Sequence, residues 1–186
     1  MAHFEKVSFE QYKKDRLNLL GNFSNTITDK KIKKEYDAIK LPQRGTVGSM
    51  GYDFYSPFMF TLKSEWSTDE YETIPTGIKF VVDDDVHLGL LCVPRSGLGF
   101  RYAFSLSNTL GVIDQDYQYA ENEGHIMAKV TAKSEVTIEQ GKAFMQGIII
   151  PFIITSDDDA TGIRNGGFGS TDRKIEAVEI KEKENG

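Results

Sequence analysis

The hydrophobic and polar positions follow two different patterns, before and after about residue 41. The stretch from Ser8 to Gly21 begins with a capping-box pattern, in which Gln11 follows Ser8 by three positions, and it ends at a glycine. These features predict a short helix. A second short helix is predicted in TDKKIKKEYDAI, with Thr28 as its cap. Since such helices are marginal alone, we expect both to pack on the main domain or on a neighbouring molecule.

After residue 41, short runs rich in Val, Ile, Phe and Tyr alternate with turn residues, which is typical of β-strands. The stretch GIKFVVDDDVHLGLLCVP predicts a hairpin, and strand patterns continue in GHIMAKVTAKSEVTI and KAFMQGIIIPFII. Many short strands without alternating helices favour an antiparallel barrel or a jelly roll. The sequence therefore predicts a helical extension over residues 1–40, an all-β domain over 41–161, and a glycine-rich arm with a charged tail over 162–186.

Composition narrows the classes of function. The 186 residues are 39% hydrophobic and 27% charged, and no apolar run is long enough for a membrane span, so we expect a soluble globular protein. A net charge of −6 without a basic stripe argues against binding polymeric nucleic acid but permits a nucleotide-sized ligand. One cysteine, Cys92, excludes an internal disulfide, and no metal-ligand spacing relates the histidines. We expect a reducing, cytoplasmic location.

The stretch GIRNGGFGSTD, residues 162 to 172, could bind phosphate or form a flexible tail. Its glycines free backbone N–H groups to face an anion, while Arg164, Ser170 and Thr171 supply a fixed charge and two hydroxyl donors. Phe168 would suit stacking on a flat ligand. The loop lacks the Gly-Lys-Ser/Thr ending of a P-loop, and taken alone it favours the flexible tail.

Three other stretches also permit two interpretations each. In VPRSGLGF, Arg95 and Ser96 would bind an anion or form an ordinary surface turn. In LGVIDQDYQ, Asp114 and Asp116 would share one face of a strand, with Asp114 as a base toward water, or would form a turn at a strand end. Asp53, in MGYDFYS, would steer a hydrated magnesium ion or simply belong to a half-buried strand.

The ordered set of stretches is more specific than any single one. GYDFYS, PRSGLG, NTLGVIDQDY, GKAFMQGIIIP and RNGGFGST resemble, in order and rough spacing, the five motifs of the trimeric dUTP diphosphatase (dUTPase) family. The resemblance implies a jelly-roll subunit, a distorted antiparallel β-barrel, in a homotrimer whose active sites are shared between subunits. It also implies Mg²⁺-assisted hydrolysis of dUTP to dUMP and pyrophosphate, which limits uracil incorporation into DNA and supplies dUMP for dTMP synthesis.

The resemblance further implies a role for each matched residue. Asp114 matches the catalytic aspartate that orients and deprotonates the water attacking the α-phosphorus, and Asp53 matches the acidic residue that reaches the metal through its waters. Tyr117 matches the tyrosine whose ring packs under the deoxyribose and leaves no room for a 2′-hydroxyl. The other matched substrate-binding positions are Arg95, Ser96 and Gly97 for phosphate, Asn108, Val112, Ile113 and Met127 for uracil, Gln146 of the fourth motif, and Arg164, Phe168, Gly169, Ser170 and Thr171 of the arm.

Two segments and two alternative functions lie outside this assignment. Residues 119–123 form an insertion relative to the third motif, and either they or the N-terminal helices could contact a neighbouring subunit or a protein partner. A dCTP deaminase shares the fold, but it needs a glutamate on the strand after the third motif, where this chain has GHIMAKV. A dUTPase-like protein that acts mainly as a regulatory protein-binding factor is the second alternative.

Overall fold

Strands dominate the structure, a computed structural model that describes residues 1–63, 72–83, 86–162, 164 and 166. The strands are β1 (Ala2–Lys6), β2 (Gln43–Arg44), β3 (Gly51–Tyr55), β4 (Phe60–Leu62), β5 (Glu72–Pro75), β6 (Ile78–Val82), β7 (Leu88–Pro94), β8 (Ser105–Leu106), β9 (Gly111–Ile113), β10 (Met127–Thr131), β11 (Val136–Ile138) and β12 (Ala143–Pro151). The helices are α1 (Phe9–Leu20), α2 (Asp29–Asp37) and α3 (Ser96–Tyr102), and 3₁₀ segments occupy Gly21–Thr26 and Gln115–Tyr119.

The strand pairs within the described ranges are antiparallel. The largest sheet has five strands in the order β2-β3-β12-β7-β9, and a three-stranded sheet has the order β5-β10-β8. Two-stranded sheets form between β1 and β6 and between β11 and β4. Strands that are distant in sequence become neighbours in space, which fits a jelly roll better than a simple meander.

The hairpin predicted from GIKFVVDDDVHLGLLCVP is wrong. β6 pairs with β1, from Ala2↔Val82 to Lys6↔Ile78, whereas β7 pairs with β12 and β9. An apolar strand pattern predicts a strand but does not specify which other strands pair with it. Strands that are neighbours in the sequence can therefore join different sheets. β1 itself lies in the segment for which only helices were predicted.

The two N-terminal helices begin where their capping residues predict. The Ser8 hydroxyl accepts a hydrogen bond from the Gln11 backbone N–H at 3.1 Å, and Thr28 accepts one from the Lys31 N–H at 3.3 Å. Gly21, at the end of α1, has φ +51°, a left-handed conformation that favours glycine. These caps satisfy backbone groups that have no partner inside a helix.

The helices pack on the β domain through a buried interface. Tyr12 of α1 and Ile32 of α2 are fully buried. Arg16 of α1 forms an ion pair with Glu35 of α2 at 3.1 Å, and its guanidinium carbon lies 3.6 Å from the ring centre of Phe58, which follows β3. Burial of apolar side chains and this stacked ion pair therefore attach the N-terminal segment to the strands.

The core joins the sheets and fixes the path of β12. Phe4 of β1 packs against Phe54 of β3 and Phe80 of β6, with ring centres 5.5 and 5.6 Å apart. At Gly147 of β12, a Cβ atom would lie 2.8 Å from the Phe54 ring and 2.9 Å from Leu90. A side chain does not fit there, so glycine allows β12 to pass close to β3 and β7.

Two observations bear on the expectations from composition. Cys92 is buried, and burial raises the pKa of its thiol to about 12, so the thiol is inert at neutral pH. Across the described part of the chain, the helices are too short or too polar to cross a membrane. The cytoplasmic location stays a prediction.

Candidate active site

Strand pairing brings three predicted residues to one corner of the five-stranded sheet. Gln146 of β12 lies opposite Asp53 of β3 and opposite Val93 of β7, and Arg95 follows the end of β7. The Gln146 side chain lies over Gly51, where an added Cβ would come within 2.4 Å of its amide oxygen. The sheet therefore gathers residues from the predicted first, second and fourth motifs.

The corner is charged and open to solvent. The Arg95 Nε atom lies 3.2 Å from an oxygen of Asp53. Arg95, Ser96 and Gly97 are exposed at the beginning of α3, and the Asp53 side chain is 22% exposed. A guanidinium, a hydroxyl and a glycine on an exposed turn can contact phosphate oxygens, and the carboxylate beside them can contact a hydrated cation.

The residues from Asp114 to Tyr119 form a second part of the site, here named the Asp114 turn. Asp114 is the N-cap of the 3₁₀ segment Gln115–Tyr119, and the Tyr117 N–H donates to its carbonyl at 3.1 Å. Of the two interpretations of LGVIDQDYQ, the turn at a strand end is confirmed, because β9 ends at Ile113 and a 3₁₀ segment follows. This turn lets one cation reach both carboxylates.

That cation is Arg164, from the predicted arm. Its Nη2 atom donates to Asp114 at 2.5 Å, and its Nε atom lies 3.1 Å from Asp116. Its guanidinium carbon is 5.5 Å from the ring centre of Tyr117, within the range of a cation–π contact. Arg164 is thus anchored at the Asp114 turn through charges that an anionic ligand would compete for.

The Tyr117 side chain is fixed by burial and by hydrogen bonds of its hydroxyl group. Its side chain is only 3% exposed, and burial is the main reason that its pKa lies above the usual value. The Tyr117 hydroxyl donates to the His125 carbonyl at 3.1 Å and accepts from Asn122 at 2.8 Å. Its ring orientation is therefore determined by residues that follow the turn.

A cavity of about 410 Å³ lies beside β10, lined by Thr73, Ser107, Asn108, Met127 and Lys129. Its volume is within the range of small-molecule sites. Asn108 and Met127 were predicted to contact the base, and the structure brings them to the same cavity. Thr73, Ser107 and Lys129 were missed, although Met127 and Lys129 share a strand face by simple alternation.

Ile113, which directly precedes the Asp114 turn, lines a second cavity that shares Asn108 and Met127 with the first. This second cavity is smaller, about 20 Å³, and its other lining residues belong to the core. Val112, also predicted to lie near the base, has a side chain that is 60% exposed. β9 pairs with β7, while β10 pairs with β5 and β8, so Val112 and Met127 lie on strands of different sheets.

The rest of the predicted arm lies outside the described residues. This applies to Phe168, Gly169, Ser170 and Thr171. Their predicted roles, in closing over the base and holding the terminal phosphate, stay predictions.

Known proteins are similar to this chain over most of its length. The sequence profile of the dUTPase family matches residues 37–172. The chain is 32% identical over 155 residues to the deoxyuridine 5′-triphosphate nucleotidohydrolase of Shigella flexneri serotype 5b, covering 80% of this chain and 95% of that protein. The chain belongs to the dUTPase family.

Solved structures of this family are similar in fold. The dUTPase from Streptococcus mutans is 25% identical, with a TM-score of 0.57 over 83% of this chain and 98% of that chain. The dUTPase from phage phi11 of Staphylococcus aureus, whose structure reveals the coordination of a structural Mg(II) ion, is 16% identical and shows the fold alone. Its TM-score is 0.54 over 68% of this chain and 92% of that chain. The strand-rich fold described above is therefore that of a dUTPase.

Proposed function

We propose that this dUTPase-family protein hydrolyses dUTP to dUMP and pyrophosphate. One observation carries the proposal: Asp114 directly follows Ile113, which lines a small cavity together with Asn108 and Met127, and these two residues also line the larger cavity of about 410 Å³. A nucleobase in that cavity would place its sugar near Tyr117 and its phosphates near Arg164 and Arg95. Base, sugar and phosphate contacts then follow one another along one surface.

Base selection is proposed to depend on backbone and amide hydrogen bonds around the cavity. Uracil presents a carbonyl and an N–H group where cytosine presents an amino group and a bare nitrogen. A cytosine would leave buried partners unpaired, at roughly 1–3 kcal/mol for each group. The Ser107 N–H donates to the Lys129 carbonyl at 2.8 Å, and this hydrogen bond places the next residue, Asn108, beside β10.

Arg164 is proposed to exchange partners when the substrate binds. In the structure it forms ion pairs with both Asp114 and Asp116, which holds its side chain at the Asp114 turn. A triphosphate offers more negative charge and better bidentate geometry for a guanidinium than either side-chain carboxylate. The exchange would free the Asp114 carboxylate to bind water while Arg164 holds the phosphates.

Magnesium binding is proposed at Asp53, together with the substrate. Among the described residues, there is no group of three or more His, Cys, Asp or Glu side chains able to hold a metal ion. Proteins typically hold Mg²⁺ by one or two carboxylates completed by phosphates and water, so the partly exposed Asp53 oxygen fits that donor set. When bound, the ion would neutralise charge on the triphosphate.

The chemical step needs a base and an in-line water. Asp114 would accept a proton from water, whose oxygen forms the new bond to the α-phosphorus. The bond from that phosphorus to the oxygen bridging the β-phosphate breaks, and pyrophosphate leaves with the bonding pair. Arg95 and Arg164 would stabilise charge on the phosphates, so the protein acts mainly through positioning and electrostatics.

Deamination of dCTP is less well supported. It would need a carboxylate at the base, and β10, which borders the cavity, has the sequence MAKVT without an acidic residue. Lys129 of that strand lines the cavity, but its cationic side chain cannot replace the glutamate of a deaminase. A protein partner bound through the N-terminal helices or residues 119–123 stays a prediction.

The active unit is proposed to be a homotrimer of barrel-like subunits with shared active sites. After β12, Phe152, Ile153 and Ile154 are 41%, 94% and 47% exposed, an apolar run unusual for a monomer surface. Burial of this run against a neighbouring subunit would explain it. Light scattering should give a mass three times that of the 20.9 kDa chain; a monomer at micromolar concentration would contradict the trimer.

Pyrophosphate release with Mg²⁺ tests the proposed function directly. We expect rapid release from dUTP and slow release from dCTP, dTTP and UTP, because the cavity and Tyr117 select base and sugar. The expected preference over dCTP is at least about tenfold, the effect of one unpaired buried group. Absence of release from dUTP would overturn the proposal, and ammonia release from dCTP would then indicate the deaminase.

A further inference from the structure

Four consecutive residues, 122–125, lie between α1 and the Asp114 turn. On the side of the turn, the Asn122 amide donates to the Tyr117 hydroxyl at 2.8 Å and to the His125 carbonyl at 3.3 Å. The Tyr117 hydroxyl donates to the same carbonyl at 3.1 Å. Two hydrogen bonds therefore hold the Tyr117 hydroxyl, and a third joins its two partners to each other.

On the side of α1, Glu123 completes the cap of the helix. The Ser8 backbone N–H and hydroxyl donate to its two carboxylate oxygens at 2.7 and 2.6 Å. A carboxylate at the beginning of a helix is also favoured by the helix dipole. Glu123 has φ +58°, a conformation that a non-glycine residue rarely adopts unless its contacts stabilise it.

His125 forms a second connection to α1. Its ring is fully buried, and its Nε2 atom accepts a hydrogen bond from the Gly77 N–H at 2.8 Å. Nδ1 must then carry the proton, which it donates to Asp15 of α1 at 2.6 Å. Burial opposes ionisation of Asp15, but hydrogen bonds from His125 and Gln11 outweigh it and lower the pKa of Asp15. The pair is therefore a neutral histidine bonded to a carboxylate.

Gly124 allows residues 122–125 to lie close to the backbone of the Asp114 turn. It has φ +70°, and a Cβ atom there would lie 2.8 Å from the Gln118 Cα atom and 2.9 Å from the Tyr117 carbonyl oxygen. Only glycine permits this approach. The four residues thus contact both the beginning and the middle of α1 and the Asp114 turn, so they connect the two.

We propose that α1 is a positioning element for the active site: through residues 122–125 it fixes the ring of Tyr117 and thereby tightens selection of the deoxyribose. The proposal rests on the proposed function, in which Tyr117 excludes a 2′-hydroxyl. Residues 122–125 and α1 then form one intramolecular support, in which Asp15 and Asn122 are positioning residues. Loosening the support should admit ribose more readily than it slows the reaction of dUTP.

The experiment compares the two ends of the support with a matched control. Asp15→Ala removes the acceptor of His125, Asn122→Ala removes the contact with Tyr117, and Asp15→Asn restores an acceptor without the charge. Glu35→Gln is the control, because it weakens the α1–α2 ion pair with Arg16 instead. For each folded variant, kcat/KM is measured for dUTP and UTP, and hydrogen–deuterium exchange is followed over residues 114–119.

Asp15→Ala and Asn122→Ala should each lower the preference for dUTP over UTP roughly three- to tenfold, the effect of one net hydrogen bond. Both should speed exchange in the Asp114 turn, whereas Asp15→Asn and Glu35→Gln should stay near wild type. An unchanged ratio and exchange in both alanine variants would overturn the proposal, as would an equal loss in Glu35→Gln.

The exchange measurement separates this inference from the proposed function. If the wild-type protein does not prefer dUTP over UTP, the role of Tyr117 in sugar selection fails, whatever the exchange shows. If it does prefer dUTP, and Asp15→Ala leaves both exchange and preference unchanged, the positioning role of α1 fails while the hydrolase function stands.

Discussion

Asp114→Asn is expected to lower kcat for dUTP hydrolysis roughly 10²- to 10⁴-fold, the usual contribution of a general base. The amide has the same shape as the carboxylate but cannot accept a proton from water. Since the Asp114 side chain is 52% exposed, the substitution should leave the fold unchanged. Pyrophosphate release under saturating dUTP and Mg²⁺ measures the effect, and circular dichroism checks the fold.

Asp116→Asn is the matched control for that variant. Asp116 contacts the same arginine, Arg164, and its side chain is 53% exposed. It lies two residues further from the cavity, so its substitution should cost less than about tenfold, as expected for one weakened exposed charge contact. A wild-type rate in Asp114→Asn, or an equal loss in both variants, would show that Asp114 is not the base.

Glu35→Ala is expected to lower the free energy of unfolding by about 3–5 kcal/mol, because it leaves a buried arginine without its partner. The Arg16 and Glu35 side chains are 10% and 6% exposed, and Arg16 stacks on Phe58 of the β domain. Alanine leaves the buried Arg16 guanidinium without an acceptor, whereas the glutamine of Glu35→Gln still offers an amide oxygen to it. Urea denaturation gives the free energy.

Asp37→Ala supplies the comparison on the same helix. Its ion pair with Lys33 joins side chains that are 59% and 50% exposed. Exposed pairs of this kind contribute little, so we expect a change within about 0.5 kcal/mol. Similar losses in the two variants would mean that the Arg16–Glu35 pair is no more important than a surface pair.

Helix caps and short motifs led to the most accurate predictions from the sequence. Ser8, Thr28 and Gly21 placed the helix ends correctly, because capping involves only residues within one helical turn. The ordered motifs identified the family, and the structure brings Asp53, Gln146 and Arg95, from three of the motifs, to one corner of the five-stranded sheet. Asn108 and Met127, 19 positions apart, line one cavity as their assigned role requires.

Strand partners could not be predicted with the same accuracy. The pattern of GIKFVVDDDVHLGLLCVP suits a hairpin, but β6 instead joins β1 and β7 joins β12. Pairing depends on which apolar faces meet across the whole domain, and a run of Val and Ile does not specify that. LGVIDQDYQ left a continuing strand and a turn both open, and only the structure shows that β9 ends at Ile113 and a turn begins.

By itself, the sequence determined the class of fold, the helix ends and the family, because each depends on local order or on a motif. Tertiary structure alone decided how these parts are joined. Asp15 and His125 are 110 positions apart, and neither has a neighbour that indicates the other. Only the packing of α1 against residues 122–125 brings them together, and it does so because a buried histidine must find partners for both ring nitrogens.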